Sequence, residues 1–157
     1  MANEIAIIQS TFRAHVGNAL LSECLLQLKK DGLKDNQISI FKVPGALEIP
    51  LVAKRLAKQK KYDAIIVFGV VVKGDTYHFE QVADECARGC MNVSYEYEIP
   101  VIFQVLCVYK ESDALKRTKG IKDNRGIEAG KTALEMIKVM KNLNLSTKTF
   151  PKANYKN

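Results

Sequence analysis

The chain has two histidines. One of them, His78, stands just after an apolar run has turned polar, in GVVVKGDTYHFE, Gly69 to Glu80. Gly74 lets the backbone come close to a ligand, Thr76 adds a hydroxyl, and the amides that open the following helix favour an anion. The competing use of the same residues is as a cap, with Asp75 or Thr76 satisfying the first turn. Asp75 also carries a charge that a phosphate would not welcome. His78, at or just inside the helix start, is placed to accept and donate protons beside an anion. His15, at the start of the first helix, lacks such neighbours and reads as a surface or capping residue.

Four other positions could serve the same site. In VPGALEIP, Glu48 opens the second helix, where a carboxylate satisfies amides or accepts hydrogen bonds from ligand hydroxyls. Phe12, in the polar STFRAH loop, has no core role and suits stacking on a planar ring. Arg117 and Arg125 flank the polar TKGIKDN loop and are either solvated charges or a bidentate grip on phosphate.

The elements that must position these residues alternate in period. Apolar β-branched runs at 4–9, 37–43, 62–72 and 99–108 read as strands. Segments 15–32, 46–61, 78–98 and 127–143 read as helices, Pro50 falling in the first turn of the second, with a short helix at 112–118. Strands separated by such helices predict an α/β fold. The expected architecture is a three-layer, flavodoxin-like sandwich of four parallel strands with helices on both faces. Ligands bind such folds beyond the carboxyl ends of the strands. STFRAH, VPGALE and VVKGDTYH all leave those ends, and the fourth strand carries Phe103 toward VYKESD.

The length, 157 residues, suits one domain burying roughly 70% of its unfolded surface. Residues 1–143 read as that domain and 144–157 as a basic, frayed tail. Compositions of 47% hydrophobic and 26% charged are those of a soluble protein. No run is long enough to span a bilayer and no secretion signal opens the chain, so a cytoplasmic location is expected. Cys24, Cys86, Cys90 and Cys107 fall in apolar patterns and read as reduced, buried thiols; a zinc site at Cys86 and Cys90 lacks a second ligand pair. Of the net charge of +7, Lys141, Lys148, Lys152 and Lys156 supply four. With no aromatic interleaving and no nucleic-acid-binding signature, this charge does not specify a nucleic-acid partner.

VPGALEIP, KYDAIIVFGVVVKGDTYHFEQVA, IPVIF and NRGIEAG…ALEM together resemble the 6,7-dimethyl-8-ribityllumazine synthase family of riboflavin biosynthesis, from about Ile5 to Leu143. The resemblance implies condensation of 5-amino-6-(D-ribitylamino)uracil with L-3,4-dihydroxy-2-butanone 4-phosphate, without a cofactor or metal. It implies that Phe12 stacks on the pyrimidine, that Ala46, Leu47 and Glu48 hold the ribityl chain, and that Val71 and Val72 line the uracil pocket. Gly74, Asp75 and Thr76 would cradle the phosphate with Arg117, and His78 would shuttle protons. Phe103, Arg117, Arg125 and Glu128 would come from a neighbouring subunit, which requires a homo-oligomer built on pentamers. The implied partners are small-molecule substrates and a functional link to riboflavin synthase, with no nucleic acid and no membrane. A lumazine or flavin carrier without turnover is the alternative on the same scaffold. The chain departs from the family at Arg13, where Asn is usual, at Leu47 for a frequent aromatic, at Asp75 for a small residue and at Arg125 for Lys; its TKGIKDNRG loop also differs from the usual Gly- and Lys-rich one.

Overall fold

A computed structural model describes residues 3–146. Strands β1 (Ile5–Ser10), β2 (Ile38–Val43), β3 (Ala64–Val72) and β4 (Val101–Val108) form one parallel sheet in the order β2-β1-β3-β4. Between and after them run helices α1 (Ala14–Lys30), α2 (Ile49–Ala57), α3 (His78–Tyr97), α4 (Glu111–Lys116) and α5 (Arg125–Ser146). This is the flavodoxin-like sandwich expected. β1 is buried along its whole length and β3 along all but its last residue, which is why β3 reads as an unbroken apolar run and β1 as one that ends in the buried polar Gln9 and Ser10.

Alternation along the strands builds two cores. Ile5, Ile7, Ile66 and Phe68 face α1 and α5, meeting Val16, Leu20, Cys24, Ala129, Ala133 and Ile137. Ala6, Ile8, Ile65 and Val67 face the other way onto α2 and α3, meeting Ile49, Ala53, Cys86, Cys90 and Val93. Each fully buried isoleucine contributes on the order of 1.5–3 kcal/mol. Small residues set how closely the helices approach: a Cβ on Gly89 of α3 would lie 2.6 Å from Pro50 of α2, and one on Gly126 of α5 would lie 2.5 Å from the Leu20 carbonyl of α1.

Several expected boundaries shift. The second helix is preceded by a tight 3-10 turn at Ala46–Glu48 and stops at Ala57, with Lys60 in a left-handed conformation; it is shorter than the pattern over 46–61 suggests. Pro50 does fall in its first turn, where its missing N–H costs no bond. The last helix begins two residues early, at Arg125, and continues through Ser146, three residues into the segment read as a tail; residues 147–157 lie outside the described residues. Cys24, Cys86 and Cys90 are buried, but Cys107 is exposed near the carboxyl end of edge strand β4, beyond the cover that buries Val105 on the same face. No helix among the described residues is long and apolar enough to cross a membrane.

Candidate active site

Backbone bonds first bring two loops together. The Thr11 N–H donates to the Val43 carbonyl at 2.8 Å and the Phe12 N–H to the Pro44 carbonyl at 3.2 Å, which seats Phe12 beside the turn after β2. The β3–α3 turn forms the third wall. Together they enclose a cavity of about 520 Å³ beyond the carboxyl ends of the strands. Phe12 lines one side; Pro44, Gly45, Ala46, Leu47 and Glu48 line a second; Val70, Val71, Val72, Gly74, Thr76 and His78 line a third, with Phe79 and Val82 of α3 below.

The β3–α3 turn ends in a helix start without a side-chain cap: none bonds the amides opening α3. Asp75 and Thr76 therefore do not cap it, and those donors stay available. Gly74 is not in the left-handed region, and a Cβ placed on it would meet no atom within 4 Å. Nothing in the described chain crowds a side chain there, which leaves the backbone open to the cavity. His78 is the first residue of α3, exposed at the cavity wall. Asp75 is exposed on the same turn but does not line the cavity.

Glu48 ends the 3-10 turn and precedes α2, and its side chain caps no amide. Its Oε2 lies 2.9 Å from where a Cβ on Gly45 would stand, so glycine leaves the carboxylate room over the turn. The Cys86 thiol, beneath the cavity floor, is pushed up by its hydrogen bond with Cys90 and by burial, with a smaller push from the Glu48 charge. Cys86 is accordingly a neutral packing group rather than a nucleophile.

Four expected residues lie away from this cavity. Phe103 is half-buried in the middle of β4, opposite Val67. Arg117 follows α4; its Nη1 donates to the Asp113 carbonyl at 2.8 Å, and it lines a separate hollow of about 510 Å³ with Cys107, Tyr109 and Lys116. Arg125 pairs with Glu128 at 2.6 Å across the first turn of α5. The Arg125 N–H donates to the Arg117 carbonyl at 2.8 Å, so the two arginines share one structural unit. His15 is not an isolated surface residue: its Nε2 lies 2.5 Å from Glu111, which also binds Arg13.

Pro44, Gly45, Val70, Phe79 and Val82 line the cavity without having been singled out in the sequence. Phe79 carried a usable signal, an aromatic directly after His78 at a helix start. Val82 follows it at helical spacing, facing the sheet as a core residue would.

The chain also resembles known proteins along nearly its whole length. The family model described as 6,7-dimethyl-8-ribityllumazine synthase matches residues 2–141. A protein named 6,7-dimethyl-8-ribityllumazine synthase from Ruthia magnifica subsp. Calyptogena magnifica is 42% identical over 149 residues, covering 92% of this chain and 89% of that one. One of the same name from Coxiella burnetii (strain CbuG_Q212) is 41% identical over 143 residues, covering 91% of this chain and 95% of that one. A cavity walled by the three loops at the carboxyl ends of β1, β2 and β3, in a chain so matched from end to end, places it in a family: the protein belongs to the 6,7-dimethyl-8-ribityllumazine synthase family.

Proposed function

We propose that the protein condenses 5-amino-6-(D-ribitylamino)uracil with L-3,4-dihydroxy-2-butanone 4-phosphate to 6,7-dimethyl-8-ribityllumazine, a step of riboflavin biosynthesis. The observation that carries this beyond family membership is one cavity with two unlike ends. Phe12, Val71 and Val72 give an apolar slot for a flat ring, and the uncapped start of α3 gives free donors for a phosphate.

The chemistry then follows from placement. The aryl amine adds to the ketone and loses water to give an imine. Phosphate leaves by elimination, with its oxygens held by the amides around Gly74 and by Thr76. The remaining amine closes onto the carbonyl with loss of a second water. Each stage moves a proton, and His78 on the cavity wall is the group placed to carry it. Phe12 stacks on the pyrimidine, and Glu48 with the Ala46–Leu47 backbone holds ribityl hydroxyls. Holding both substrates in register supplies most of the advantage, worth up to ~7–11 kcal/mol in well-oriented cases.

Phe103, Arg117, Arg125 and Glu128 complete the site from a neighbouring protomer, since none of them lines the cavity of its own chain. Arg117 binds the phosphate there. A site so shared needs a homo-oligomer; on family membership alone we take it as built on pentamers, in the cytoplasm, with its product passing to riboflavin synthase. Asp75, exposed on the same turn but outside the cavity lining, would meet the phosphate only from the rim.

Mixing the two substrates with the purified protein is the test. An absorbing, fluorescent lumazine with one phosphate released per product is expected. Tight binding of the lumazine with no acceleration over the spontaneous reaction would overturn catalysis in favour of a carrier.

A further inference from the structure

The β3–α3 turn is held shut at its two ends by an ion pair outside the cavity. Lys73 Nζ bonds Glu80 Oε1, joining the residue that follows β3 to the third residue of α3, and the turn with Gly74, Thr76 and His78 lies between. Neither partner lines the cavity. Lys73 is itself anchored: its N–H donates to the Val108 carbonyl at 2.9 Å, and its Nζ lies 5.1 Å from the Phe79 ring centroid. Phe79 in turn stacks on Tyr109, with centroids 6.5 Å apart and planes 28° apart.

The other carboxylate oxygen, Glu80 Oε2, is buried and has no hydrogen-bond partner among the described residues. Lys73 is thus the counter-charge of a carboxylate placed where an acidic side chain ordinarily turns back onto a helix's first amides. Those amides are the donors assigned above to phosphate. An unpaired Glu80 would compete for them and would repel an incoming dianion.

We infer that Lys73 and Glu80 are positioning residues for the phosphate end of the site: the lysine neutralises the acid and holds it clear of the start of α3. This deepens the synthase reading and rests on it. The pair acts through the turn and touches no substrate within its own protomer's cavity. Two properties follow that a merely stabilising ion pair would lack. Its loss affects one substrate selectively, and removing the second charge repairs the loss of the first.

Inorganic phosphate is the probe, its affinity measured by calorimetry and as inhibition against the phosphorylated ketone. Lys73→Met is expected to weaken phosphate and to raise KM for the phosphorylated ketone by about tenfold, with KM for the aminopyrimidine within about twofold. The double variant K73M/E80Q should return phosphate affinity to within about threefold of the unsubstituted protein. Glu80→Gln alone should bind phosphate as well or better. Equal losses for both substrates, a double variant no better than K73M, or a tenfold loss in E80Q would each overturn the inference. Should K73M not fold, E80Q alone decides, because a structural clip and a neutralised charge predict opposite results for it. If the unsubstituted protein fails to condense the two substrates, the synthase reading fails by itself, and calorimetric phosphate affinity across the variants still decides what the pair does.

Discussion

The guanidinium carbon of Arg13 lies 5.4 Å from the centroid of the Phe12 ring, and the same side chain is bonded to Glu111 at the start of α4. Arg13 does this from a left-handed backbone, φ 54°, a conformation that costs a side-chain-bearing residue about 1–2 kcal/mol. Glu111 also holds His15, so one carboxylate gathers two basic groups beside the cavity's aromatic wall. Arg13 thus backs the ring on which we propose that the pyrimidine stacks.

Arg13→Ala should raise KM for the aminopyrimidine by about 2–5-fold, the worth of an exposed cation–ring contact of about 0.5–1 kcal/mol, and leave KM for the phosphorylated ketone unchanged. Phe12→Ala should raise the same constant by more than about tenfold. Because Phe12 is 53% exposed, its removal should leave the melting temperature near that of the parent. Steady-state kinetics with each substrate varied in turn checks both, and an unchanged pyrimidine constant in the arginine variant would detach Arg13 from the site.

Gly74→Ala separates stability from turnover. A Cβ there meets no atom of the described chain and the backbone is not left-handed, so stability should hold or rise by up to about 1 kcal/mol through lost unfolded-chain entropy, read as an unchanged or slightly higher melting temperature. Phosphate binding and turnover should fall at least about tenfold, since the methyl group occupies the ligand's approach to the amides. A variant that is stable and fully active would show that phosphate does not pass over this backbone.

His78→Ala should slow turnover by about 10–100-fold, within the range of general acid–base help. Arg117→Ala should act chiefly on the KM of the phosphorylated ketone. If the two residues come from different protomers, mixing the two variants after dissociation and reassembly creates some sites with both residues intact. About a quarter of the sites are then restored under random assembly into closed rings. Activity no greater than the average of the two parents would place Arg117 and His78 in the same protomer's site or in none.

Buried thiols should make stability fall at alkaline pH. Burial pushes the Cys24 thiol from 9.0 up to about 12, and hydrogen bonding with Cys90 and then burial raise Cys86. A thiol that stays neutral in the folded protein but ionises in the unfolded chain contributes stability that is complete below its unfolded value and drains away as pH rises toward its folded one. Melting temperature should therefore be flat between about pH 7 and 8.5, then fall, each such thiol removing about 1.4 kcal/mol per pH unit. Cys24→Ala should start lower, through lost packing, yet fall less steeply. Parallel curves for the two proteins would assign the alkaline loss to other groups.

The turn from Gly74 to His78 could be read from the chain because its parts are adjacent in sequence and follow the longest apolar run. The sheet could be read because β1 and β3, buried on both faces, leave no ambiguity of period. What sequence could not supply were the meetings of distant residues. Glu111 joins Arg13 across 98 positions, and only the packing of α4 beside the first loop puts them together. The exposure of Cys107 depends on where helix cover ends along edge strand β4, which the apolar run over 99–108 does not encode. Lys73 and Glu80 are close enough in sequence to have been paired, but a surface pair and a clip across a turn look the same until the turn's shape is known.

The loop between Arg117 and Arg125 is fastened mostly by atoms that every residue has. Beyond the bond between the two arginine backbones, buried Asn124 accepts from the Gly126 and Ile127 N–H groups and donates to the Gly120 carbonyl and to Glu23. Lys119, Ile121, Lys122 and Asp123 are exposed. Asn124, the buried Thr118 hydroxyl and the main chain thus hold the shape, with left-handed turns at Gly120 and Asp123, and leave the exposed Lys119, Ile121 and Lys122 side chains free to vary. Changes at those three exposed positions would therefore leave the two flanking cations at the same separation.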